Sequence, residues 1–327
     1  MKTTGWLILS LVAILCISST GRAVGATLSF GSGPNTFSVE FVPIGNPGNP
    51  ADTTGNPNPA GSVANEFQMG KYEISEDMIN KANTVGGLFL TKDTRGADKP
   101  ATNITWNEAA RFVNWLNTSS GYPKAYKFAL NPGDAGYTSN TQANQNIVQW
   151  AVSDPGYNPN NLYRNSLAAF FLPSVDEWYK AAYYDPSSGV YYDYATGSDT
   201  APAFVDSGTA PGTAVYNRPF NGLAPADITL AGGLSPYGTM AQDGNVFEWN
   251  ESDVIPPNGP VGDARYYRGG YWSSTATHLQ STSFFSQVAT GSENVRGFRV
   301  ATLVPEPSTA MLIAIASLGL LWRRTAR

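Results

Sequence analysis

One cysteine and one histidine in 327 residues are the first constraint on this chain. The cysteine, Cys16, sits in an apolar N-terminal segment, so the rest of the sequence can form no disulfide, thiol nucleophile or thiolate metal site. A lone histidine, His278, argues against a zinc or non-haem iron centre, which draws on two or more imidazoles, and reads as an ordinary surface or core residue. Charge is also scarce: charged side chains make up 14% of the chain and the formal net charge is −5. Without clustered Lys and Arg, neither nucleic acid nor an anionic membrane surface is expected as a partner. No repeat of fixed period is visible, which removes solenoids and propellers.

What is present begins at the two ends. Lys2, the apolar stretch Trp6–Ile17 and the small residues ending at Ala23 or Ala26 have the three parts of a secretory signal, expected to occupy residues 1–26. Leu15 before Cys16 is too bulky for a lipoprotein signal. At the other end, Pro305, Glu306 and Pro307 precede an apolar run of 13 residues, Ala310–Trp322, and then Arg323, Arg324 and Arg327. A helix needs roughly 20 residues to cross a bilayer, so this run suits a transient hold better than a permanent anchor; the trailing arginines would stay on the cytoplasmic side. The order resembles the PEP-CTERM sorting signal of Gram-negative bacteria over residues 304–327. That resemblance implies export, transient inner-membrane association through the tail, and processing by an exosortase-type enzyme. A plain single-pass anchor is the alternative.

Between the ends, residues 27–303 are expected to form one elaborate domain. Phe37, Val39 and Phe41 alternate with polar neighbours over residues 36–44, the period of a half-buried strand. Residues 45–61 hold four prolines and four glycines and read as an exposed loop in which Asp52 caps a turn or serves a metal. Residues 67–74 return as a strand. Ser75 then caps a helix with Glu76 and Asp77 in its first turn and Gly86 and Gly87 at its end. Two further helices open with capping boxes, Thr105 with Glu108 and Ser174 with Glu177. Residues 118–166 read as inserted loops, and residues 265–270 and 296–303 as short strands bracketing another loop. The fold class expected is α+β with loops carrying much of the mass.

Four blocks carry identity: Lys99–Phe112, Leu172–Ala182, Gly244–Trp249, and Arg268-Gly-Gly-Tyr-Trp272 with Arg296-Gly-Phe-Arg-Val300. In this order they resemble the formylglycine-generating enzyme, or sulfatase-modifying factor, family, over roughly residues 37–302. The resemblance implies a loop-rich α+β fold related to C-type lectins. Trp249, Arg268, Trp272, Arg296 and Arg299 are expected to be structural: indole rings as pillars, and guanidinium forks tying loop carbonyls or a carboxylate. The family's oxidation depends on a copper-binding cysteine pair between the last two motifs, where this chain has none. A hydroxyl cannot replace a thiolate toward copper(I), so formylglycine-generating activity is expected to be absent. The related iron-dependent sulfoxide synthases need several histidines.

Calcium is the inorganic ligand that the resemblance leaves open, with the carbonyls of Gly244 and Val246 and the Glu248 carboxylate as hard oxygen donors. Ala241 stands where relatives tend to carry Asp or Asn, so Glu248 reads equally as a buried acceptor. Two functions follow. One is an exported, non-catalytic surface or matrix protein binding extracellular polysaccharide, with Tyr183, Tyr184, Tyr191, Tyr192 and Tyr194 either stacking on sugars or filling the core. The other is an extracellular enzyme using a carboxylate pair from among Asp193, Asp243, Glu248 and Glu251. Two acids facing one open cleft would favour the enzyme, and a satisfied buried Glu248 the scaffold.

Overall fold

The computed structural model describes residues 25–140, 147–219, 224–253 and 264–303. The signal segment up to residue 24, Pro305, Glu306, Pro307 and the apolar tail lie outside the described residues. Among those described, no helix is long and apolar enough to cross a membrane.

The larger sheet combines both ends of the domain. Strands β1 (Thr27–Phe30), β2 (Phe37–Ile44) and β3 (Phe67–Gly70) form an antiparallel series. The last strand, β15 (Ala301–Leu303), inserts between β3 and β6 (Phe170–Phe171), giving the order β1-β2-β3-β15-β6. Alternation in β2 buries Phe37, Val39 and Phe41 beneath helix α2 (Trp106–Ser119), where they meet Phe112, Trp115 and Phe298. The strand expected over 67–74 stops at Gly70, because the chain turns there to bury Glu73 and Ile74 ahead of helix α1 (Glu76–Gly86).

Three short pairs occupy the loop-rich regions: β4 (Lys127–Phe128) with β5 (Ile147–Val148), β7 (Tyr184–Asp185) with β8 (Val190–Tyr191), and β9 (Ala203–Phe204) with β10 (Thr213–Ala214). The second sheet has the order β13-β12-β11-β14. It consists of β11 (Phe247–Asp253), β12 (Ala264–Arg268), β13 (Phe285–Val288) and β14 (Arg296–Gly297), with β11 and β14 parallel. The stretch expected as a loop after Trp272 therefore contains β13, an edge strand whose Phe285 stacks on Tyr267. Helix α3 (Val175–Tyr183) reaches the second sheet through Trp178 and presents Tyr179 and Tyr183 to the neighbouring loops.

All three expected caps are made. Ser75 accepts from Met78 N–H and the helix ends on left-handed Gly87, while Thr105 with Glu108 and Ser174 with Glu177 form complete reciprocal boxes.

Candidate functional site

The Gly244–Trp249 block is the structural centre. Gly244 has φ +95°, and a Cβ there would stand 2.3 Å from the Val215 carbonyl, so only glycine fits. Asn245 follows in the left-handed region, which an amide side chain tolerates better than most. It uses both its backbone and its side chain: N–H to Val215 O, O from Trp272 N–H, Oδ1 from Ala226 N–H, and Nδ2 to Glu73. Four separate segments are thereby tied to one residue.

Along β11 the side chains alternate. Phe247 and Trp249 both contact Tyr267 on one face, and Glu248 points to the other. Glu248 is wholly buried. Arg299 binds it in a fork, Nε to Oε2 at 2.6 Å and Nη2 to Oε1 at 2.5 Å, and the Trp178 indole N–H donates to Oε2 at 2.6 Å. Arg299 also donates to the carbonyls of Gly70, Lys71 and Met240. One guanidinium thus joins the first sheet, the loop before Gly244 and β11.

Arg268 lies directly across the ladder from Glu248 but is not its ion partner. Its fork is occupied by the carbonyls of Asn56 and Ser281, both at 2.6 Å, and its plane rests on Trp178 and Tyr179. Arg296 lies between Trp249 and Tyr267 and pairs with Glu293. Trp249 donates to Ile104 O, and buried Trp272 lies under the Arg95 guanidinium.

Both Glu248 oxygens face donors, and its charge is already balanced by Arg299. A hard cation would have to displace that guanidinium while Ala241 contributes no acid. The residues present fit an ion pair better than a calcium site with Gly244 and Val246.

Three other buried acids surround this centre. Burial and the neighbouring Glu248 push Glu73 well above the usual carboxylate range; it accepts from Asn245 and keeps one oxygen without a hydrogen-bond partner. Burial raises Asp243 to about 7, although it accepts from Thr196 N–H. Glu251 is occupied by Tyr126 OH, Arg164 Nε and Asn161 Nδ2. Arg164 continues to Glu177, where burial works to raise the carboxyl pKa but the guanidinium overrides it and holds the group low.

The four acids offered as a carboxylate pair have separate settings. Glu248 and Glu251 are each consumed by arginine, Asp243 is buried, and Asp193 approaches Ser281 instead, 3.5 Å away. Of the tyrosines, Tyr183, Tyr184 and Tyr194 are core, and Tyr191 donates to Gly61 O and Pro50 O; only Tyr191 and Tyr192 are half-exposed. Asp52 caps a turn through Thr54 and accepts from Tyr179, as one of its two readings expected. His278 is half-buried, edge-on to Phe285, with Nδ1 3.4 Å from Ser274 Oγ. A feature not anticipated from sequence is a cleft of about 510 Å³ between the start of α3 and the far ends of β11 and β12.

This arrangement of capped helices, curled sheets and a central arginine lattice defines a sulfatase-modifying-factor fold. The chain belongs to that family: residues 40–304 match the sulfatase-modifying factor enzyme 1-like domain, and residues 303–324 match the PEP-CTERM protein-sorting motif. Among solved structures it is similar to Treponema denticola variable protein 1 (20% identity, TM-score 0.56, 86% of this chain and 99% of that one). It is also similar to CarF (17% identity, TM-score 0.52, 81% and 98%) and, more loosely, to PvdO from Pseudomonas aeruginosa (13%, TM-score 0.45, 84% and 98%). These likenesses concern the fold. No curated protein matches the sequence. The sorting motif marks an exported protein of this fold and implies handling by an exosortase-type system.

Proposed function

We propose that the protein is a non-catalytic recognition module, sorted by its tail and displayed or released among extracellular polysaccharide at the surface of a Gram-negative cell. Its parts are a signal segment (1–26), the recognition domain (27–303) and the sorting tail (304–327). The observation that carries this reading is the closed state of Glu248. In the block that identifies the family, the acid is buried and bound bidentately by Arg299, so it serves the scaffold and leaves recognition to the loops. The cysteine-free body supports the same conclusion, since thiolate–copper chemistry has no ligands in it.

The test has two arms on the exported protein. Incubated with copper(I) and a cysteine-containing sulfatase peptide, it should form no aldehyde by mass spectrometry. Mixed with extracellular polysaccharide extracted from its host, it should co-sediment. Aldehyde formation, or complete failure to co-sediment, defeats the reading.

A further inference from the structure

Two positions fit the end of the signal segment by sequence alone. Ala23 follows Gly21, and Ala26 follows Val24, each with one residue between, so either alanine meets the small-residue pattern that signal peptidase reads. The fold separates them, because residues 25 and 26 are built into the first sheet.

Ala26 continues the ladder ahead of β1. The register that sets Thr27 opposite Glu40 brings Ala26 to Phe41, and the Ala26 carbonyl accepts from Phe41 N–H at 2.7 Å. Its own N–H donates to Oε1 of Gln68 at 3.2 Å. Gln68 belongs to β3, lies opposite Pro43 of β2 and is 3% exposed, so its side chain reaches past the intervening strand to Ala26. A residue just outside β1 is thereby tied to both β2 and β3.

Gly25 carries a separate constraint. A Cβ at this position would stand 2.5 Å from the Phe41 carbonyl oxygen and 3.6 Å from Cδ of Pro43. The obstacle is the backbone of β2, which cannot swing aside as a side chain would, so the sheet requires glycine here. A residue discarded with the signal is under no such restriction. Removing residues 25 and 26 would also take away the acceptor of Phe41 N–H and the donor to Gln68 Oε1, and both of those residues are buried. Unmatched polar groups in buried residues are rare and costly.

We propose that the signal segment is cut after Ala23, so that the exported domain begins at Val24 and keeps Gly25 and Ala26. Water adds across the Ala23–Val24 amide, leaving a carboxylate on Ala23 and an amine on Val24. The peptidase meets the chain unfolded, so the fold does not steer the cut; it identifies which of the two products is a whole domain. The assignment rests on the export reading above and moves its first boundary from residue 26 to residue 23.

N-terminal sequencing and intact-mass measurement of the protein exported by its host test the assignment: the first residue should be Val24. A first residue of Thr27 overturns it and leaves the export reading standing, whereas a chain that keeps Met1 and stays in the cytoplasm overturns both. Gly25→Ala, made in the full chain and exported, gives a second readout. With residue 25 in the mature domain, the clash with Phe41 O should lower the melting point of the exported form by about 2 °C or more. An exported variant that melts like the wild type overturns the proposal, since a residue removed with the signal leaves the product unchanged. If the variant does not reach the outside of the cell, the sequenced terminus of the wild type decides.

Discussion

At the scale of single residues, the stability of this domain depends on where charge is buried and what answers it. Glu248→Gln keeps the shape of the side chain and strands the Arg299 guanidinium, which is fully buried. Breaking one partner of such a pair costs about 3–5 kcal/mol. The melting point should therefore fall by the same amount in calcium and in EDTA; a loss seen only in calcium would reveal a cation at the block. Asp243 gives a second, pH-dependent expectation. Its carboxyl is raised from an ordinary 3.8 to about 7 by burial, so between these values the unfolded chain releases a proton that the folded chain keeps. Stability is then fully present below pH 4 and declines toward pH 7, by at most about 1.4 kcal/mol per unit from this group. Asp243→Asn should match the wild type near pH 4 and exceed it at pH 8. Thermal melts showing a constant difference at both pH values would contradict that.

At the scale of elements, what was readable from sequence is what is local. Thr105, Ser174 and Ser75 meet partners three residues away, so a capping box is spelled in consecutive letters. Thr105→Ala should cost about 1 kcal/mol, measurable by urea denaturation, and an unchanged midpoint would show the cap to be redundant. The alternation that sends Glu248 away from Phe247 and Trp249 was equally legible. Its partner was not. Arg268 and Arg299 both stand in short glycine-containing motifs, and nothing local says that the cross-strand neighbour of Glu248 binds the carbonyl of Asn56, 212 positions away, while Arg299 takes the acid. The cleft beside the start of α3 was invisible for the same reason, since its walls come from five separated segments. Gly244 shows the limit in another way: glycine signals a turn, but the need for it comes from a contact with Val215. Gly244→Ala should destabilise by about 1–2 kcal/mol from the left-handed backbone and by more through the clash with Val215 O, and a variant melting like the wild type would refute the contact.

At the scale of the whole molecule, the sorting motif begins where the fold ends. Residue 303 closes strand β15 and opens the matched segment. The form recovered outside the cell should lack the tail beyond the Pro305-Glu306-Pro307 neighbourhood, and intact-mass measurement retaining residues 310–327 would favour a permanent anchor. The position of β15 also sets an order of events. This strand is interior to its sheet, with β3 on one side and β6 on the other, yet it is the last described segment the ribosome makes. Until it arrives, β3 and β6 each present an open edge and the five-stranded sheet cannot close. The domain's own topology thus delays its completion until residues 301–303 have been made. A chain destined for transport gains time from this, because the keystone of its fold is delivered immediately ahead of its address label.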